Sequence, residues 1–226
     1  MGYRPAQRAS NGKALRKPAA PFRARLVIMA KVPIAGQVKT RLTRRIGVAE
    51  AVRFYRATAL AVVGRLGGQP FWETVIAVSP DTGISAHVWP RGVTLARQGR
   101  GDLGARMQRP MRALGPGPVC VVGTDVPGIE VEHIRRAFRL LGNCDAVFGP
   151  AADGGFWLVG MRRRPRVINP YSNGVRWSHA ETLADVRRNL EGHAVGLTER
   201  LNDVDEAEDL ARQLGQFGRR IRPHPQ

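Results

Sequence analysis

Cysteine is scarce in this sequence. Cys120 and Cys144 are its two; neither sits in a CxxC pair or near histidines at metal-ligand spacing. That excludes a disulfide framework and a cysteine-built zinc module. Cys120 lies in the apolar run Val119-Cys120-Val121-Val122 and reads as a small buried hydrophobe. Such a chain suits a reducing cytoplasm, the expected location. Histidine gives as little to work with: His87, His133, His179, His193 and His224 show no HExxH spacing, and no GxSxG supports a serine nucleophile. Long apolar runs are missing too, so nothing approaches the roughly 20 residues of a membrane span. No apolar stretch precedes Leu26, so the N-terminus does not read as a secretory signal.

Acidic residues are the other shortage: 18 Asp and Glu stand against 36 Lys and Arg, a net charge of +18 over 226 residues. The excess raises the question of nucleic acid, and its distribution answers in part. Arg4, Arg8, Lys13, Arg16, Lys17, Arg23 and Arg25 crowd a start that holds no acid; Arg212, Arg219, Arg220 and Arg222 crowd the end. These eleven, more than half of the excess, lie in segments that read as peripheral. We expect residues 1–25 to be a disordered basic arm and 215–226 a basic tail. No zinc finger, helix-turn-helix or RNP-like aromatic pattern accompanies the charge, so nucleic acid is the disfavoured partner. The remaining cations can face or steer an anionic substrate.

Between the two tails, apolar runs alternate with helical periods. Strands are expected at 26–30, 74–79, 93–96, 119–123, 145–149, 156–161 and 194–197. Helices are expected at 48–65, 102–114, 131–141, 178–190 and 205–214. In the first helix Val52, Tyr55, Ala59 and Val62 recur at three-to-four spacing. Alternation of this kind predicts one α/β domain over 26–214, with a largely parallel sheet and helices on both faces. Ligands of such sheets bind at strand carboxyl ends where the topology switches.

The loops leaving the strands are therefore the candidates. Lys31 to Leu42 joins Pro33 and Gly36 to Lys31, Lys39 and Arg41. Glycine admits close approach of an anion, and amides with nearby cations hold phosphate oxygens; the plain alternative is a basic surface turn. It is not a Walker loop, since GxxxxGK[ST] is absent. Asp125 follows the strand 119–123 and precedes Val126-Pro127-Gly128. A carboxylate there can hold Mg²⁺, which takes one or two carboxylates plus phosphates and water; a turn or cap aspartate is the alternative. Asp153-Gly154-Gly155 joins two strands and is also an ordinary turn sequence. Asp205 with Glu208 makes a capping box, which leaves Asp203 as the better functional candidate. Gly99-Arg100-Gly101-Asp102-Leu103-Gly104 matches GxGxxG, but the strand before it is too polar at its end for a buried first strand of a dinucleotide fold.

Taken in order, AKVPIAGQVKTRL (30–42), GRGDLGARM (99–107), VVGTDVPGI (121–129), FGPAADGGFWLVGM (148–161), Trp177-Ser178 and LNDVDEAEDL (201–210) resemble a known family. It is the glycosyltransferase-like group of radical-SAM/selenodomain-associated transferases, relatives of the phospholactate guanylyltransferase of deazaflavin-cofactor synthesis. The resemblance runs from about Leu26 to Gln213. It implies a three-layer GT-A-like fold, that of nucleotide-diphospho-sugar transferases, with a mostly parallel mixed sheet and helices on both faces. It further implies that Lys31, Gly36, Lys39, Arg41, Gly101 and Asp102 serve the nucleotide and its phosphates. Asp125 and Asp203 would ligate Mg²⁺ or Mn²⁺. Asp125 and Asp153 would be catalytic, and Gly154, Gly155, Trp177 and Ser178 would line an acceptor region. His179 departs from the family, where threonine is more usual after the Trp-Ser. The arm at 1–25 is not part of the pattern.

The resemblance implies transfer from an activated nucleotide. A glycosyltransferase would pass a sugar from an NDP-sugar to a small-molecule acceptor. A nucleotidyltransferase would attach NMP from an NTP to a small phosphorylated acceptor. A third possibility of another class, a basic nucleic-acid-binding protein, rests on the net charge alone.

Overall fold

The structure, a computed structural model, describes residues 21–164 and 166–201. Strands β1 (Arg25–Lys31), β2 (Glu73–Ser79), β3 (Thr94–Arg97), β4 (Val119–Gly123), β5 (Ala146–Pro150), β6 (Phe156–Met161) and β7 (Val195–Leu197) form one sheet. Helices α1 (Thr40–Ile46), α2 (Val48–Leu66), α3 (Leu103–Ala113), α4 (Val131–Leu140) and α5 (Thr182–Arg188) connect them. The strand order is β3-β2-β1-β4-β6-β5-β7. Six strands run parallel, and β6 runs against both of its neighbours, β4 and β5.

The alternation of side chains along β1 shows why this is three layers. Leu26, Ile28 and Ala30 pack with Val62, Val63 and Leu66 of α2 and with Ile134 and Ala137 of α4. Val27, on the opposite face, packs with Met107 and Met111 of α3 and with Val186 of α5. A strand covered on both faces must be apolar throughout, and Leu26, Val27 and Ile28 are all fully buried. From β1 the chain crosses to β2 on one side, while β4 lies on the other. The two carboxyl ends, Lys31 and Gly123, therefore flank the point where the topology switches, the place where such sheets open a crevice.

The chain is already held just before β1: the Arg23 and Arg25 amides donate to the carbonyls of Pro116 and Pro118. Several expected boundaries moved. Residues 40–46, read as loop, form α1. The expected helix 178–190 is confined to Thr182–Arg188, because Ser178 takes a left-handed backbone (φ 55) that no helix can continue. Before α5, the Thr182 hydroxyl instead donates to the Arg176 and His179 carbonyls. The expected helix 205–214, the tail 215–226 and nearly all of the arm lie outside the described residues. Cys120 is buried, and burial pushes its thiol up out of the reactive range.

Candidate functional site

The carboxyl ends of β1 and β4 open into a cleft of about 620 Å³. One wall is the loop after β1, with Gln37 to Arg41; the floor includes Met29, Val121 and Gly123; the far wall is Asp153, Gly155, Phe156, Trp177 and Ser178. Among the described residues that line it, four side chains are cationic (Lys31, Lys39, Arg41, Arg106) and two are carboxylates, Asp125 and Asp153. An imbalance of that sign, at a switch point, suits an anion.

The central contact is an ion pair. Lys39 Nζ lies 3.0 Å from Asp125 Oδ1, with the lysine side chain 4% exposed and the aspartate side chain 52% exposed. Lys39 is set by its backbone, left-handed at φ 48. A non-glycine residue there is held against a cost, a feature that clusters at functional sites. The Thr43 amide and hydroxyl both donate to the Lys39 carbonyl and fix its exit into α1. Asp125 follows the buried Thr124 at the end of β4. Asp153 sits in a tight turn, its Oδ1 accepting from the Gly155 amide at 2.9 Å.

Some expected site residues stand elsewhere. Gly36, Gly101, Asp102 and Gly154 are not among those lining the cleft. The Asp102 carboxylate accepts from the Ala105 amide at 2.7 Å and caps α3. Gly101, at φ 110, serves the turn ahead of that cap. Gly154, at φ 87, lets the Asp153 loop press on Ala180: a Cβ there would come within 1.9 Å of the Ala180 carbonyl oxygen. Gly104, the last glycine of the GxGxxG match, is packed beneath an aromatic pair, where a Cβ would stand 2.8 Å from the Trp177 ring and 2.9 Å from Tyr171. Asp203 lies outside the described residues.

Other cleft residues were not foreseen. Tyr55, counted among the apolar positions of its helix, brings its hydroxyl to the Lys31 backbone and to Thr124. Burial raises its pKa, with the Thr124 hydrogen bond opposing. The signal was available, since a phenol on a core-facing position needs a polar partner. Gln98, the polar end noted for the weak third strand, is buried and donates its amide to the carbonyls of Ala30 and Ala77 at 3.2 and 2.8 Å. Its Oε1 accepts from Arg106 at 3.3 Å. Outside the cleft, Asp185 takes the Arg176 amide, Nε and Nη2 at 3.1, 2.8 and 2.7 Å and so holds the stretch leading into Trp177.

Could these residues hold a metal? Among the described residues no cluster of three or more His, Cys, Asp or Glu side chains forms a closed metal cage. A half-exposed Asp125, with Asp153 in the same cleft, is instead a sparse, hard-oxygen donor set. It fits a cation that takes most of its ligands from phosphate and water, the habit of Mg²⁺ and Mn²⁺.

Residues 62–179 match the model of a family described as uncharacterized protein conserved in bacteria (DUF2064). The chain belongs to this family. The DUF2064 match spans α3, β4 and the Asp153 and Trp177 walls, while the Lys39 loop precedes it. No curated protein matches this DUF2064 chain. Solved structures do. A Desulfovibrio desulfuricans G20 protein, provisionally described as a nucleotide-diphospho-sugar transferase, is 28% identical with a TM-score of 0.73, over 84% of this chain and 85% of its own. A nucleotidyl transferase from Methanothermobacter thermautotroptrophicus is 16% identical with a TM-score of 0.59, over 88% of this chain and 100% of its own. Rv0371c of Mycobacterium tuberculosis H37Rv, solved with manganese, is 16% identical with a TM-score of 0.51, over 87% of this chain and 100% of its own. The latter two share the fold. The DUF2064 chain thus has the expected three-layer fold, shared by nucleotide-diphospho-sugar transferases and nucleotidyltransferases.

Proposed function

We propose that this protein is a nucleotide-dependent transferase that moves a sugar from an NDP-sugar to a small-molecule acceptor, with Mg²⁺ or Mn²⁺. The observation that carries the reading is the Lys39–Asp125 pair in a cation-rich cleft at the switch between β1 and β4. Phosphates need fixed positive charge, and Lys31, Lys39 and Arg41 supply it from one loop. Asp125 would hold the cation; when bound, the cation would neutralise charge on the phosphate oxygens. The chain's own part is then preorganised electrostatics: the loop cations stabilise the departing diphosphate. The Trp177 and Phe156 wall gives an acceptor an apolar surface and excludes water from the reacting bond. Asp153, which lines the same cleft, would take a proton from an acceptor hydroxyl.

The solved structure described as a nucleotide-diphospho-sugar transferase supports this reading. We also propose kinship with the radical-SAM/selenodomain-associated transferases, on the motifs quoted above, and residues 26–214 as the transferase domain.

Nucleotidyl transfer is a second reading. The four-to-two excess of cations over carboxylates lining the cleft favours it, because a triphosphate carries more charge than a diphosphate. One experiment tests both: a thermal-shift panel of nucleoside triphosphates, diphosphates and nucleotide sugars with Mg²⁺ or Mn²⁺. A ligand at 100 times its Kd adds about 2.7 kcal/mol. Phosphorus NMR of the products then separates released nucleoside diphosphate from released inorganic pyrophosphate. A panel in which no nucleotide raises the melting temperature overturns the proposal.

A further inference from the structure

The proposed reaction needs a cation and phosphates, and two touching residues would receive them. Asp125 Oδ1 meets Lys39 Nζ at 3.0 Å. Of the two side chains the aspartate is the reachable one, 52% exposed in the cleft, while the lysine is 4% exposed behind it. Lys39 is aimed at this oxygen by a fixed frame: a left-handed backbone, two hydrogen bonds from Thr43 onto its carbonyl, and the start of α1. The ammonium therefore does not reach Asp125 by chance of a long surface chain.

We propose that Lys39 is an internal competitor for the divalent cation at Asp125, so that cation and nucleotide phosphates bind as a coupled pair. The inference rests on the function proposed above and deepens it. A small divalent cation such as Mg²⁺ stands about 2.0–2.1 Å from a carboxylate oxygen. With Lys39 on the same oxygen, two positive centres would share one half-exposed carboxylate and repel. A phosphate changes both halves of this conflict. It offers the ammonium another anionic partner, and it brings the cation further oxygen ligands. Each guest relieves the cost that the other meets, so by linkage each raises the affinity of the other by the same factor. The cation alone binds weakly, which keeps Asp125 mostly unoccupied without substrate.

The test reads metal binding rather than turnover. Mn²⁺ is titrated into the full chain and free Mn²⁺ is followed by its electron-spin resonance signal. Lys39→Met should bind Mn²⁺ tighter than the wild type by roughly tenfold or more. Lys39→Gly, which adopts the positive φ without strain, should do the same and guards against a variant that misfolds. Adding Asp125→Asn to either should abolish the gain. Calorimetry with the Mn²⁺–pyrophosphate complex, which needs no knowledge of the base, should move the opposite way, weaker in both Lys39 variants than in the wild type. The inference is overturned if both Lys39 variants bind Mn²⁺ no tighter than the wild type. Failure of the proposed function looks different: no nucleotide stabilises the wild-type chain, whatever the Mn²⁺ titrations give.

Discussion

The Tyr55 hydroxyl accepts a hydrogen bond from the Lys31 amide at 2.7 Å and donates to the Lys31 carbonyl, 3.1 Å away. The same oxygen is 3.3 Å from the Thr124 hydroxyl. One side chain of α2 thus ties the end of β1 to the end of β4, the two strands that carry the cations and Asp125. Tyr55→Phe keeps the ring and removes the tie, leaving the part-buried Lys31 amide without this partner. We expect a loss of about 1–3 kcal/mol in urea unfolding, with weaker nucleotide binding. A variant as stable as the wild type would show that the cleft edge does not depend on this phenol.

Asp125→Asn keeps the shape of the side chain and removes its charge. Mg²⁺-dependent nucleotide binding should fall to the level seen in EDTA, while the melting temperature stays within a few degrees. Calorimetric titration of both proteins, with Mg²⁺ and with EDTA, measures this. Equal Mg²⁺-dependent affinity in the two would take Asp125 out of the site.

Replacing Lys39 and Arg41 together with Ala should weaken nucleotide binding far more than folding, since charge-assisted hydrogen bonds are worth about 1.5–3 kcal/mol each. Circular dichroism checks the fold and calorimetry the affinity. A folded double variant with wild-type affinity would move the phosphate site away from this loop.

Gly104→Ala tests how the Trp177 wall is supported. The added methyl would stand 2.8 Å from the indole and 2.9 Å from Tyr171, so something must shift. Overpacking of this kind costs about 1–3 kcal/mol. Unfolding midpoints and the tryptophan emission spectrum should both change; an unaltered spectrum at unaltered stability would mean that the ring moves aside freely.

Asp185 supplies a pH dependence. Its hydrogen bonds from the Arg176 side chain, then from the Arg176 amide, hold its carboxyl well below the usual carboxylate range. A folded pKa below the unfolded value of about 3.9 means stabilisation that is fully present above that value. It is lost as the pH falls through the folded pKa. Asp185→Asn should therefore be less stable than the wild type at pH 7, and the gap should close as both are unfolded below about pH 4. A gap that stays constant from pH 7 to pH 3 would show that Asp185 contributes through shape and not charge.

Much of this protein was legible along the chain. The apolar runs that became β1, β4, β5 and β6 are short and buried on both faces, so composition alone announced them. The periodicity of residues 48–65 announced α2 for the same reason: burial of one face repeats every three to four residues. Lys31, Lys39, Arg41, Asp125, Asp153, Gly155, Trp177 and Ser178 were singled out from their loops, and the fold brings all of them to one cleft. For the residues after β1, β4 and β5 this was possible because parallel strands end on the same edge; Trp177 and Ser178 follow β6, which runs the other way, and came from the resemblance.

What the chain order could not supply was which of these residues touch. Lys39 and Asp125 are far apart in sequence, and their contact follows from β1 and β4 lying side by side in parallel register, Arg25 opposite Val119 and Met29 opposite Gly123. Gly104 read as the last glycine of a GxGxxG match, and a Cβ on it would crowd Trp177 and Tyr171. Asp102, expected at the nucleotide, caps α3 and stands off the cleft lining. Tyr55 looked like core and proved to be the clasp between two strand ends. Local pattern reports what a residue needs, burial or water, a turn or a helix. Which partner meets that need is decided by packing between elements distant in sequence, and here that packing is what sets a lysine against the aspartate of the next strand.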